Sequence, residues 1–305
     1  MVQIIPDNID FNAYLNGPDE NAKVKPASEY TQDVIDRLYA PNETNGNRLP
    51  WTKTIDNFRV RAGEVTIWPG INGHGKSMLV SQVIVGLMSQ SEKVCIASME
   101  MKPVSTMARM CRQAAGCAEP AIQFIRDFHQ WTDKHLWIYD QQGTVKTKRL
   151  LSVMRYCYER LGATQFVIDS LMKCGMGEDD YNGQKSFVDE LCAYARDTGV
   201  HVHLIAHSRK GLDEYSAPNK MDVKGSGSIT DQVDNVMTVW RNKKKEMMID
   251  TGKSTDEINS QPDALLVCDK QRHFEWEGRI ALWFDKRSFQ YVERPNATPI
   301  NLLEI

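Results

Sequence analysis

The stretch Gly63–Leu87, GEVTIWPGINGHGKSMLVSQVIVGL, decides the fold. A short apolar run leads into a glycine-rich turn and then into a long apolar segment, the order strand, turn, helix. Inside it, Gly70-Ile71-Asn72-Gly73-His74-Gly75-Lys76-Ser77 satisfies GxxxxGK[ST] at every fixed position. Glycines at these places let main-chain N–H groups turn inward around phosphate oxygens. Lys76 supplies a point charge to the outer phosphates, Ser77 offers a hydroxyl to Mg²⁺, and the following helix aims its positive end at the anion. The expected nucleotide-binding set is therefore Gly70, Asn72, Gly73, His74, Gly75, Lys76, Ser77 and Met78. The expected cofactors are ATP, or dTTP or another nucleoside triphosphate, with Mg²⁺.

Downstream, short apolar runs alternate with longer helical stretches. EVTIW, KVCIAS, HLWIYD, QFVIDS, VHVHLIAH, NVMTVW and ALLVCD are the strand candidates. Helices are expected over 77–88, 103–115, 147–161 and 184–197, the third with Leu150, Met154, Cys157 and Leu161 on one stripe. That alternation implies an α/β fold: a mainly parallel sheet with helices on both faces. From Asn235 onward the connections shorten, which predicts an antiparallel C-terminal edge. Residues 1–50 read as an N-terminal arm or linker carrying one short amphipathic helix over 27–40, with Tyr30, Val34, Ile35, Leu38 and Tyr39 at near-helical spacing. Residues 51–305 are expected to form the nucleotide-binding ATPase domain.

The bulk numbers restrict the partners. The 305 residues carry a net charge of −3, with 41% hydrophobic and 25% charged residues. A nucleic-acid partner would need a locally basic surface. Seven isolated cysteines with no CxxC pair argue against a zinc ribbon or disulfide framework and fit a reducing cytoplasm. The N-terminus lacks the basic-then-apolar pattern of a signal peptide, and no uninterrupted apolar run approaches the ~18 residues of a membrane span.

A phosphate site of this kind needs an acidic residue on a neighbouring strand to hold the metal and another group to orient water. Asp169, closing QFVID, is the metal candidate beside Ser77. Glu100, just past KVCIAS, is the candidate water activator. Two long polar segments follow strand tips, LMKCGMGEDDYNGQK after Ser170 and SRKGLDEYSAPNKMDVKGSGS after His207. Loops of this length usually carry function. Arg209, Lys210, Lys220 and Lys224 offer phosphate contacts there, and Gly225, Ser226 and Gly227 offer main-chain approach to a single strand, in a salt-sensitive and sequence-neutral mode. The first segment, with Glu178, Asp179 and Asp180, is the weaker candidate. The run Lys243–Lys245 reads as a solvated patch.

VCIASMEMKPVSTMARM resembles the segment after the second strand in DnaB-like replicative helicases, where a Ser-Leu-Glu-Met-like string precedes a proline and a helix carrying Arg-Met. FVIDS, VHLIAHSRK, DVKGSGSITDQVDNVMTVWRN and DKQRHFEWEG continue the resemblance in order, over about Thr54 to Phe284. The His at a strand end and the GSG…RN spelling are closer to phage primase–helicases and the mitochondrial Twinkle helicase than to bacterial DnaB. The resemblance implies a RecA-like core assembled as a homohexameric ring on single-stranded DNA, with nucleotide at subunit interfaces and 5′→3′ unwinding. It also implies primase and polymerase as further partners. By position it makes Lys76 and Glu100 catalytic and His207 a γ-phosphate sensor. Arg272 becomes an arginine finger reaching a neighbour's ATP, with Lys270 beside it. Arg241 and Phe284 flank the nucleotide base. Phe284 alternates with Leu282, a spacing that equally fits core. The helix over 27–40 matches the family's linker helix in position and equally fits a helix folded on its own core. A RecA-like recombination ATPase and a regulatory RecA-like ATPase share the phosphate motif and stand as alternatives.

Overall fold

The computed structural model describes residues 3–4, 10, 26–39, 46–177, 179–208, 227–253 and 255–303. Among the described residues ten strands form one sheet: β1 (Gln3–Ile4), β2 (Val65–Gly70), β3 (Val94–Ser98), β4 (Leu136–Tyr139), β5 (Gln165–Asp169), β6 (His201–His207), β7 (Asn235–Arg241), β8 (Ala264–Gln271), β9 (Gly278–Phe284) and β10 (Tyr291–Val292). Their order is β1-β4-β3-β5-β6-β2-β7-β8-β9-β10. Pairing is parallel from β1 through β7 and antiparallel from β7 to β10. The expected parallel sheet with an antiparallel C-terminal edge is thus present.

The strands are apolar on both sides because helices cover both faces. Alternation sorts the side chains: Phe166 and Ile168 of β5 join one core, and Val167 joins the other. The first core is completed by α5 (Thr147–Tyr156) and α6 (Tyr181–Thr198), through Leu150, Val153, Phe187 and Leu191. The second is built on α2 (Lys76–Met88), with α3 (Pro103–Ala115) and α4 (Ile122–Thr132) outside it. Helix α2 is buried nearly all round; Leu79, Val83, Ile84 and Leu87 are each 0% exposed. Each such side chain contributes about 1.5–3 kcal/mol of burial. The helix that follows the phosphate turn is therefore fixed by the core, and its N-terminus cannot drift.

Two details depart from the sequence reading. Helix α6 starts at Tyr181, with the Asp180 carboxylate accepting from Gly183 N at 2.9 Å as its N-cap. An Asp in that position converts the polar YNGQK into a first helical turn, so the loop after Asp169 is shorter than expected. The lysine run is not uniformly solvated. Lys245 is 5% exposed, its Nζ 2.7 Å from Asp263 Oδ1 and donating to the carbonyls of Asn259 and Gln261. Upstream, α1 (Thr31–Tyr39) forms, and Val34, Ile35, Leu38 and Tyr39 are exposed on it. Leu49 is buried, and β1 pairs with β4 through Gln3 and Trp137. Among the described residues no helix is long and apolar enough to cross a membrane.

Candidate active site

Strand register assembles the site. Gly70 pairs with His207 and Ser98 pairs with Asp169. The adjacent strands β3, β5, β6 and β2 therefore deliver Glu100, Asp169, His207 and the phosphate turn to one edge of the sheet.

The turn is held from behind. Gly70 packs against the Val239 main chain so closely that a Cβ would collide with its carbonyl. Gly75 has φ +80°, and a Cβ there would collide with the Tyr291 hydroxyl. Tyr291 is pinned by a reciprocal pair with Gln82: its N–H donates to Gln82 Oε1 at 2.7 Å, and its carbonyl accepts from Gln82 Nε2 at 3.0 Å. Trp51 Nε1 donates to the same carbonyl at 2.8 Å. His74 is buried and its Nδ1 accepts from Arg241 N at 3.2 Å, so this side chain fastens the turn to β7. Asn72 and Gly73 are exposed at the tip. Met78 lies half-buried, its carbonyl accepting from Gln113 Nε2.

Lys76 is 6% exposed, its Nζ 3.0 Å from Gly70 O, 3.1 Å from Ile71 O and 3.3 Å from His207 Nδ1. Burial lowers its pKa to about 8, against the pull of Asp169 and Glu100. An ammonium can only donate, so His207 Nδ1 is the acceptor and Nε2 carries the ring proton. Nε2 stands 3.8 Å from Glu100 Oε1, an electrostatic contact beyond hydrogen-bond length. Ser170 Oγ donates to that same Oε1 at 2.8 Å. His207, and more weakly Ser170, pull the Glu100 pKa down to about 2 although partial burial opposes them. His207 thus bridges the phosphate-turn lysine and the water-activating candidate.

Asp169 is pushed up by burial, and a hydrogen bond from the Ser77 hydroxyl opposes the shift. Ser77 and Asp169 are therefore adjacent, as a shared Mg²⁺ requires. Among the described residues no group of three or more His, Cys, Asp or Glu could hold a metal. One hydroxyl and one carboxylate suit Mg²⁺, which takes few protein ligands and completes its shell with water and phosphate. A cleft of about 750 Å³ opens in front of these groups, lined by Asn72, Glu100, Lys173, His207 and Ser208.

The sequence reading passes over Arg109. Its Nη1 lies 3.3 Å from Met101 Sδ, and its buried Nε has no hydrogen-bond partner among the described residues. Burial lowers its pKa, and the charges of Asp169 and Tyr291 oppose this. The guanidinium, mostly buried, thus lies within electrostatic reach of Asp169. The Arg-Met pair in the sequence marks it, but burial comes only from the fold.

Arg241 and Phe284 stand on the phosphate-turn edge, each with an intramolecular partner. Arg241 Nε donates to Glu246 Oε1. Phe284 is part-buried and stacks on Phe289 at 6.4 Å, with the Tyr291 ring 5.0 Å away. Lys270 and Arg272 lie at the other edge. Gln271 pairs with Asn235, and Asn235 with Thr66, four residues before Gly70. That separation is about 13 Å along a strand. Both cations cap α7 (Gly227–Gln232) and the turn after it. Lys270 Nζ donates to the carbonyls of Thr230, Asp231 and Val233, each at 2.8 Å. Arg272 Nη2 donates to Gln232 O at 2.8 Å, and its Nε lies 3.3 Å from Asp234 Oδ1. Of the expected strand contacts, Arg209, Lys210, Lys220, Lys224, Gly225 and Ser226 lie outside the described residues, and Gly227 begins α7.

The DnaB-like helicase C-terminal domain family matches residues 58–293. The chain belongs to that family. A DNA helicase/primase of Enterobacteria phage T3 is 26% identical over 213 residues, taking in 61% of this chain and 37% of that protein. The chain thus spans little more than a third of that relative's length. A solved DnaB-like replicative helicase, described with its interactions with primase, superposes with a TM-score of 0.71 at 15% identity, covering 90% of this chain and 69% of that one. A second solved structure, an ATPase domain on its own, superposes with a TM-score of 0.72 at 16% identity, covering 88% of this chain and 99% of that one. These two likenesses bear out the RecA-like fold of a DnaB-like ATPase domain.

Proposed function

We propose that this chain is the ATP-hydrolysing motor of a replicative DNA helicase, working as a ring of identical subunits. The observation that carries this reading is the division of charged groups between two edges. Lys76, Glu100, Asp169 and His207 converge on the phosphate turn, and Lys270 and Arg272 stand at the opposite edge of the same sheet. A chain with both halves completes a site by meeting a second copy, and a ring repeats that junction.

Ser77 and Asp169 would hold Mg²⁺, which would supply positive charge to the phosphates when bound. Lys76 binds the outer phosphates, releasing its contact with His207 Nδ1. His207 thereby registers whether the γ-phosphate is present. Glu100 orients the attacking water. Arg272 of the adjacent subunit, with Lys270, compensates charge that grows in the transition state, which makes turnover depend on assembly. Arg241 and Phe284 hold the base. The segment between β6 and α7 binds single-stranded DNA, and hydrolysis draws the strand through in the 5′→3′ sense. The ATPase domain spans 51–305 behind an arm of residues 1–50. Primase and polymerase are its partners at a cytoplasmic replication fork.

A forked duplex with a 5′ single-stranded tail tests the reading. ATP-dependent release of the displaced strand is expected, with turnover stimulated by single-stranded DNA. Strand exchange without unwinding would instead identify a recombination ATPase. Turnover indifferent to DNA would identify a regulatory one.

A further inference from the structure

Glu100 is held by the first residue of one loop and by the last strand residue before another. Ser170 follows β5 and is fully buried, and its hydroxyl donates to Glu100 Oε1 at 2.8 Å. His207 closes β6 and faces the same oxygen. Ser170 also anchors the turn that leaves the sheet: its carbonyl accepts from Lys173 N at 2.9 Å, and Leu171 inside the turn is buried. Lys173 lines the cleft with Glu100 and His207. The turn that carries a cation at the cleft mouth is therefore the one that supplies the hydroxyl on the carboxylate.

An oxygen that accepts from Ser170 is less available to accept a proton from water. The bond fixes Glu100 toward the loop, and a hydrogen bond to an ionised carboxylate holds more firmly than one between neutral groups. Loosening that hold would free Glu100 to turn toward a water in the cleft. A polyanion drawing Lys173 outward would move the Ser170–Lys173 turn as a unit.

We propose that Ser170 is a positioning residue that restrains Glu100 while the first loop is empty and releases it when a single-stranded DNA phosphate engages Lys173. This rests on the reading of the chain as a DNA-stimulated motor. Ser170 does not touch the reacting atoms; it acts through Glu100, so its removal should change coupling rather than capacity.

The experiment measures steady-state ATP turnover of the full chain, with and without a single-stranded oligonucleotide, for the wild type, Ser170→Ala and Ser170→Thr. Affinity for a fluorescent ATP analogue on the same samples certifies the fold. Loss of a hydrogen bond to a charged group predicts that Ser170→Ala raises DNA-free turnover about tenfold while the DNA-saturated rate stays within about twofold. The stimulation ratio then falls by about the same tenfold factor, and Ser170→Thr, which keeps the hydroxyl, retains the wild-type ratio. If Ser170→Ala binds nucleotide normally and keeps the wild-type ratio, Ser170 does not restrain Glu100 and the proposal falls alone. If wild-type turnover ignores the oligonucleotide, the motor reading falls with it.

Discussion

Lowering the pH from 7.5 to 5 should cost this domain about 4 kcal/mol of stability, most of it from two buried histidines. His201 and His203 are both 0% exposed, with rings 4.6 Å apart on β6. Trp68 Nε1, a donor only, donates to His203 Nδ1 at 3.3 Å, so His203 Nε2 carries the proton toward Gln165 Oε1 at 3.1 Å. His201 Nδ1 lies 2.6 Å from Arg61 O, and its Nε2 accepts from the Thr66 hydroxyl at 2.9 Å. Each neutral ring uses one donor and one acceptor, and neither has a place for a second proton. Burial depresses His201 to about 4 and His203 well below its ordinary value of 6.5. The unfolded chain therefore binds protons that the folded chain refuses once the pH drops below about 6.5, so stability is full above that pH and lost on acidification toward 4. At pH 5 the unfolded-state term amounts to about 2 kcal/mol per ring. Urea unfolding at the two pH values measures the difference. His203→Gln, which keeps a hydrogen-bonding side chain and removes the titration, should halve the pH-dependent loss. An unchanged loss in that variant would refute the assignment to the buried pair.

Three further outcomes follow from the site. Because Lys76 titrates near 8 when no phosphate is bound, affinity for a fluorescent ATP analogue should fall about tenfold from pH 7 to pH 9, as the charged fraction drops from about nine-tenths to about one-tenth; a constant affinity would contradict the buried environment of Lys76. Gly75→Ala places a Cβ against the Tyr291 hydroxyl at a left-handed φ, so nucleotide affinity should fall at least about tenfold, together with about 1–2 kcal/mol of stability by urea unfolding. Arg272→Ala should lower turnover by about a thousandfold while nucleotide affinity stays near normal. Asp234, its ion-pair partner, is buried, so the variant should also melt at a lower temperature, and the retained nucleotide affinity certifies that the domain is folded.

The phosphate turn, the parallel strands and the strand-end residues Glu100, Asp169 and His207 are legible because each depends on local order: a fixed glycine spacing, or an acid or histidine just past an apolar run. Residues whose role depends on distant packing are not. Arg109 sits on an ordinary helix, and only the fold brings it within electrostatic reach of Asp169. Helix α4 does carry one inward stripe, Phe124, Phe128 and Trp131 against the second core, but Ile122 and Ile125 are exposed beside it and blur the apolar pattern. The resting contacts of Lys270 and Arg272 are largely to main-chain carbonyls, which leave no trace in side-chain pattern. Lys245 is hidden in the same way, since the charge pattern does not reveal Asp263 as its partner.

The separation of Lys270 and Arg272 from the phosphate turn has a genetic consequence. In a ring built as proposed, a subunit lacking Arg272 keeps its own nucleotide pocket whole and spoils the next one. A subunit lacking Lys76 does the reverse. Inheritance of the two defects then differs: the protein lacking Arg272, mixed with the wild type, should poison sites it does not own, whereas the protein lacking Lys76 should silence only its own. A mixture of the two mutants should regain every junction at which an intact finger happens to meet an intact turn. Complementation between two inactive preparations would count those junctions.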